Sequence, residues 1–360
     1  MSTGELFTAE QQGQVPAWWA RLSAGHPLSS DPRWLDLFAR SRGEPPSWWF
    51  GAGRSAGPEV GLRGTVVDAG IRKSMNPYRW LFERTAYHDG EPLDPATAPA
   101  PADWFPALLC AYPGLAAYPV GAGDDPELVA TLLAGIVDWA AGRRIRTVVV
   151  GFVQPELEAF AGPAAAAGFR ALPVATRANL PLAGRTAAQV FASFSAQQRN
   201  NLRRLRRKLD ARGVRVVELD RPLDRLDRLV ELRCEHFRQH GKPPDPAEER
   251  SWLGPLLSTF GSRVTVFGAV DGSGLGGFSL FVDDGQWWNA FAVARLDPDV
   301  YFELMYHAPI EHAAARGLAE ISFGYGTGEA KRRRGCELVN VPAWYHGVRS
   351  PVRDWLAARP

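Results

Sequence analysis

Three apolar segments at residues 264–270, 276–282 and 286–293 follow one another with only Asp271-Gly272-Ser273-Gly274-Leu275 and Asp283-Asp284-Gly285 between them. Links this short cannot carry a chain back along the sheet, so consecutive strands must run antiparallel, as a meander. A helical pattern over 300–316 and a further strand at 319–324 come next. A strand that rejoins its sheet only after a helix has crossed over it, and this gives an α+β plan.

The segments upstream extend the pattern. A basic helical stretch at 186–212 leads into a strand at 214–219, a helix at 223–240 and another helical stretch before Gly261. The first half reads in a similar order. Asp31 and Pro32 open a helix as N-cap and first helical residue, and Asp125-Pro126-Glu127 opens a second. Strands are expected at 146–153, from Phe169 and at 177–182, with a Pro- and Ala-rich loop at 85–106. Five of the 13 tryptophans fall within the first 60 residues (Trp18, Trp19, Trp34, Trp48 and Trp49) and are expected in the core. At 360 residues, two domains are expected, 1–183 and 184–360.

Composition sets the class. With 46% hydrophobic and 22% charged residues, the chain buries a sizeable core. No apolar run approaches the ~20 residues of a membrane span, and residues 1–14 lack the basic-then-apolar layout of a signal peptide, so a cytoplasmic location is expected. Cys110, Cys234 and Cys336 are odd in number, far apart and in no CxxC pair, which indicates buried thiols rather than a disulfide framework or a zinc site. The net charge of +2 argues neither for nor against nucleic acid.

Three segments carry candidate chemistry. Residues 193–212 place Arg199, Arg203, Arg206, Arg207 and Lys208 around a helix whose leucines mark an apolar face; such a cluster suits phosphate, and equally an ordinary solvated face. Residues 323–335, Phe-Gly-Tyr-Gly-Thr-Gly-Glu-Ala-Lys-Arg-Arg-Arg-Gly, combine alternating glycines with Lys331 and Arg332 to Arg334, without forming a GxGxxG or Walker loop. Glu303, His307 and Glu311 stand at i, i+4 and i+8, a spacing that serves acid/base chemistry or plain ion pairs. His236 and His240 lack a third ligand, so no metal is expected, and no GxSxG elbow is present.

The order of basic helix, meander, helix with Tyr301-Phe302-Glu303 and Gly-rich exit to Lys331 resembles the Fem-like, peptidoglycan-biosynthesis branch of the GNAT-like acyltransferases over roughly 186–350. The first half is similar only in element order. The resemblance implies two tandem GNAT-like domains, each a mixed, mainly antiparallel sheet flanked by helices. It implies an enzyme that moves an amino acid from an aminoacyl-tRNA co-substrate to a small-molecule or peptide amine, forming a peptide bond in peptidoglycan-precursor or specialised-metabolite (antibiotic) biosynthesis, with no bound cofactor.

On that resemblance Lys331 lies near the tRNA acceptor end, although Ala330 stands where the family often has an aromatic residue. Glu303 or Glu329 would accept the amine proton. Arg199, Arg203, Arg207, Arg332, Arg333 and Arg334 would hold phosphates. Trp287, Trp288 and Tyr325 would offer stacking surfaces, with Asn289, Tyr301 and Gly326 beside them at the substrate.

Two rivals stand beside this reading. One is an acetyl-CoA-dependent N-acetyltransferase, disfavoured because the turn at 294–299, Ala-Arg-Leu-Asp-Pro-Asp, offers a pyrophosphate two carboxylates and no glycine. The other is a non-catalytic module that binds tRNA or a cell-wall peptide.

Overall fold

The computed structural model describes residues 6–11, 15–43, 45–54, 57–114, 116–285, 287–349 and 351–359. The chain divides into two compact units, one running to Thr176 and resuming at Asn340, the other spanning Arg177–Val339.

In the first unit, strands β1 (Leu6–Gln11), β2 (Ser47–Gly53), β3 (Val60–Val67) and β4 (Ala107–Cys110) pair antiparallel in that order. The short β5 (Val120–Gly121) pairs with β3, and β6 (Thr147–Val150) runs parallel to β4. Helix α1 (Pro32–Arg42) starts at the N-cap Asp31, and the 17-residue α2 (Pro126–Gly142) starts at Asp125, whose carboxylate accepts from the Glu127 and Leu128 amides. Leu132, Ile136 and Trp139 of α2 pack with Trp19, Trp49 and Phe50, so the expected aromatic core is present. Helix α3 (Glu158–Ala166) leads into β7 (Arg170–Pro181). That strand is continuous where the sequence suggested two, and the chain passes from one unit to the other along it.

The second unit repeats the plan. The strands β8 (Arg215–Glu218), β9 (Val264–Asp271), β10 (Gly274–Asp283) and β11 (Trp288–Arg295) pair antiparallel. The expected third strand began at Gln286, which lies outside the described residues. β12 (Glu320–Tyr325) is parallel to β11, but only at Trp288–Ile321 and Asn289–Ser322. β11 also bulges at Phe291, because Phe281 faces Ala290 while Leu280 faces Ala292. The two strands therefore part beyond Asn289.

The basic stretch at 186–212 is two helices rather than one, α4 (Ala187–Ala192) and α5 (Ala196–Ala211). Thr186 with Gln189 and Ser195 with Gln198 each form a capping box, and the second restarts the helix after Phe194. Helices α6 (Leu226–Gln239) and α7 (Pro246–Phe260) precede the meander.

The expected helix over 300–316 is also divided. A 3-10 turn at Pro298–Val300 and a π-helical turn at Glu303–His307 precede α8 (Ala308–Ala315). Pro309 gives the cause: it has no N–H and its ring clashes with the carbonyl four residues back, so the preceding turn widens and the Ala308 amide bonds to Glu303, five residues away. After β12 come α9 (Gly328–Arg332) and β13 (Glu337–Gly347).

In the second unit β12 pairs antiparallel with Arg177–Pro181 of β7, and in the first unit β6 pairs antiparallel with Trp344–Gly347 of β13, which returns from the end of the sequence. The compact units divide at Thr176/Arg177, with residues from Asn340 grouped with the first, whereas the sequence reading placed a domain boundary at 183/184. No described helix is long and apolar enough to cross a membrane.

Candidate acyl-transfer cleft

Helix α5 turns one stripe, Asn201, Arg204, Leu205 and Lys208, toward a cleft of about 550 Å³ in the second unit. Spacings of three and four residues place these side chains on one helix face. Leu209 anchors the helix in the core, which fixes that orientation, and the buried Leu202 lines the cleft beside the stripe. The opposite wall is formed by Pro298, Asp299, Phe302 and His307, and Arg334 closes it from beyond α9.

The cationic rim is partly neutralised. Lys208 pairs with Asp299 at 2.6 Å, and Arg212 pairs with Asp297 and Asp299. The Lys208 ammonium holds the Asp299 carboxyl below its usual range. Asp297 also accepts from the Asp299 amide at 2.8 Å, so the turn between β11 and the following helix caps itself. Arg334 lies 4.4 Å above the Phe302 ring and 5.1 Å above that of Tyr306, a cation–π arrangement, and donates to the Ala330 carbonyl. Burial pushes the Tyr301 and Tyr306 hydroxyls up.

Behind this wall lies a charged cluster in which Glu303 and His307 are buried. Arg206 donates to both oxygens of Glu303, the shortest contact being 2.7 Å, and to Glu311 at 2.9 Å. His307 Nδ1 is 2.9 Å from Glu303 Oε2. Burial opposes ionisation of Glu303, but the hydrogen bonds from His307 and Arg206 outweigh it and hold the carboxyl below its usual range. The sequence named Glu303 as a proton acceptor. In the structure it is a buried carboxylate already engaged by two donors, and His307, not Glu303, lines the cleft.

The other expected site residues fall in different places. Lys331 is 8% exposed, and its Nζ donates to the carbonyls of Gly324 (3.2 Å) and Tyr325 (3.0 Å), tying α9 to the end of β12. Gly324 and Gly326 both have φ of +69°, so the alternating glycines serve the left-handed exit from that strand. Glu329 is exposed and paired with Arg332 and Arg333 at the surface, away from the cleft lining.

Arg199 donates to the Ala192 and Phe194 carbonyls at the end of α4, while Arg203 and Arg207 are exposed on α5. None of the three lines the cleft; the helix rotation substitutes Arg204 and Lys208. Arg334 is the one expected phosphate ligand among the lining residues.

Trp288 is buried between Phe281 (centroids 4.3 Å) and His312 (5.3 Å), and so has no face for a ligand. Trp287 carries Arg177 on its ring at 4.1 Å, and Asn289 donates to Asp284 and to the Trp287 carbonyl. Tyr301 packs beside Phe302, with Arg295 5.4 Å from its ring. Sequence reading named Lys208 and His307 among its candidates but passed over Arg204, which the 201, 204, 205, 208 periodicity puts on the same helix face as Lys208.

The architecture has solved counterparts. A structure described as FemX is 11% identical, with 94% of this chain and 97% of that chain covered at a TM-score of 0.58. The chain has a Fem-like, GNAT-related fold. The chain is also similar to a conserved protein of unknown function from Bacteroides thetaiotaomicron VPI-5482, at 12% identity, with 94% of this chain and 99% of that chain covered and a TM-score of 0.55. Residues 196–332 match the family model described as an acetyltransferase (GNAT) domain. That match contains every cleft residue except Phe194 and Arg334. No curated protein matches the chain.

Proposed function

We propose that this chain transfers an aminoacyl group from an aminoacyl-tRNA to an amine, forming an amide in peptidoglycan-precursor or specialised-metabolite biosynthesis. The observation that carries the reading is the turn at Asp297–Asp299. Its amide is capped by its own carboxylate, and both carboxylates are committed to Arg212 and Lys208. A coenzyme A pyrophosphate entering there would find the Asp299 amide already taken and two carboxylates beside it. Arg204 and Arg334 remain among the cleft-lining residues to meet the phosphates of a nucleic-acid donor, with Arg334 over the Phe302 ring.

An aminoacyl ester is already activated, so transfer asks mainly for positioning, removal of a proton and stabilisation of the oxyanion. Lys331, beside the Gly-rich exit, is proposed to act at the acceptor end of the tRNA, as the resemblance implies. The match to an acetyltransferase (GNAT) domain favours acetyl-CoA as the competing donor. The shift in melting temperature separates them, since a ligand that prefers the native state stabilises it. Stabilisation by deacylated or aminoacylated tRNA and none by acetyl-CoA is expected; stabilisation by acetyl-CoA alone overturns the proposed donor.

A further inference from the structure

We propose that Glu303 and His307 form a proton-accepting dyad in the cleft, with His307 Nε2 as the general base for the attacking amine and Glu303 as the positioning residue. The proposal rests on the acyl-transfer reading but not on which donor is used.

The geometry carries it. The π-helical turn ends at His307 and sets its ring across the wall of the cleft. Nδ1 faces the carboxylate of Glu303 at 2.9 Å, and that carboxylate also accepts from Arg206. An ionised carboxylate can only accept, so Nδ1 must carry the proton. The neutral ring then presents Nε2 as a bare acceptor, and this nitrogen meets no hydrogen-bond partner among the described residues. The Phe191 ring packs edge-on against the imidazole at 5.9 Å and limits its swing. A base oriented by a buried carboxylate and opening on a cavity is the arrangement that proton abstraction requires.

The step balances for either donor. The amine nitrogen attacks the acyl carbon and passes one proton to Nε2. The bond from that carbon to the leaving oxygen, or to sulfur in a thioester, breaks with its electron pair on the leaving atom. The leaving atom takes the proton back from Nε2, and the dyad returns to its starting state.

Charged groups surround the base on every side. Glu303 and Arg206 touch its own side of the wall, with Glu311 bound to Arg206; Arg204, Lys208, Asp299 and Arg334 stand around the cleft.

Two readouts test the dyad without any donor. Two-bond proton–nitrogen spectra of histidine-labelled protein are expected to show His307 protonated on Nδ1 and bare on Nε2. Diethyl pyrocarbonate, which attacks an unprotonated ring nitrogen, is expected to label His307 in the folded protein. A ring protonated on Nε2, or a His307 that stays unlabelled while the chain is folded, overturns the proposal even if the tRNA reading stands.

The third readout is transfer with whichever donor is accepted. His307→Gln is expected to lower kcat by about 10²–10⁴-fold and to remove the acidic limb of the rate–pH profile. Glu303→Gln is expected to lower kcat, with KM little changed, and to move that limb. Wild-type rate and profile in folded His307→Gln overturn the dyad, whereas failure of tRNA to stabilise the protein overturns only the donor.

Discussion

Lys331 Nζ donates a 3.0 Å hydrogen bond to the backbone carbonyl of Tyr325 and a second, 3.2 Å, bond to that of Gly324. The lysine singled out by resemblance therefore also fastens the strand exit that precedes it. Lys331→Met is expected to lower stability by about 1–3 kcal/mol, because two carbonyls lose a charged donor that an apolar chain cannot replace. Thermal melting beside the transfer assay separates the two roles, and an unchanged melting temperature would remove the anchoring role. A large loss of transfer beyond the loss of folded protein is the outcome expected of its action at the donor.

Glu303 links the site to acid stability. Its folded pKa lies below the ordinary value, so it binds protons less readily in the native state than in the unfolded chain. Its contribution is full above the unfolded value of about 4.3 and is lost as pH falls through the lowered folded value. Urea denaturation between pH 7 and pH 3 is expected to show a steeper acid loss in wild type than in Glu303→Gln. Parallel curves would show that the carboxylate does not hold its charge through Arg206 and His307.

Arg204 and Arg334 are expected to contribute most of the cleft's attraction for tRNA. Each phosphate contact removed lowers the slope of log K against log salt by about 0.7–0.9. Filter binding across a salt series should therefore show a flatter dependence for Arg204→Ala and for Arg334→Ala. Arg199→Ala should change the slope less, because its guanidinium is spent on the Ala192 and Phe194 carbonyls. A larger effect at Arg199 than at Arg204 would move the phosphate path off the cleft.

His236, on α6, reports a different environment. Burial, then His240 and the cations Arg233, Arg295 and Lys242, push its imidazole down to about 4. The unfolded chain takes up this proton near pH 6.5, so the stability carried by the neutral ring is present above that value and declines between about pH 6.5 and 4. Proton NMR titration should find one histidine still neutral at pH 5, and His236→Gln should flatten the decline. A His236 that titrates near 6.5 would mean that the ring is open to water.

Where the physics is local, the sequence was sufficient. Asp31-Pro32 and Asp125-Pro126 start their helices as the residues require, and the two glycine-bearing turns impose the meander of β9, β10 and β11. The first errors were local signals left unused: Ser195 with Gln198 divides the basic stretch, and Pro309 widens the turn that carries Glu303. The remaining errors were of another kind. Trp288 sits on an exposed-looking strand, yet it is stacked between Phe281 and His312.

The order of strands and helices, their caps and the basic character of α5 belong to the sequence by itself, because each depends on neighbours a few residues apart. Tertiary structure decided which face of α5 meets the cleft, since Leu209 must be buried and Arg204 and Lys208 are carried round with it. It brought Arg206 to Glu303 across 97 positions of sequence. It also paired β12 with the end of β7 and β6 with the end of β13. Strand pairing satisfies backbone donors and acceptors that are the same in every residue, so no side-chain pattern announces these partners.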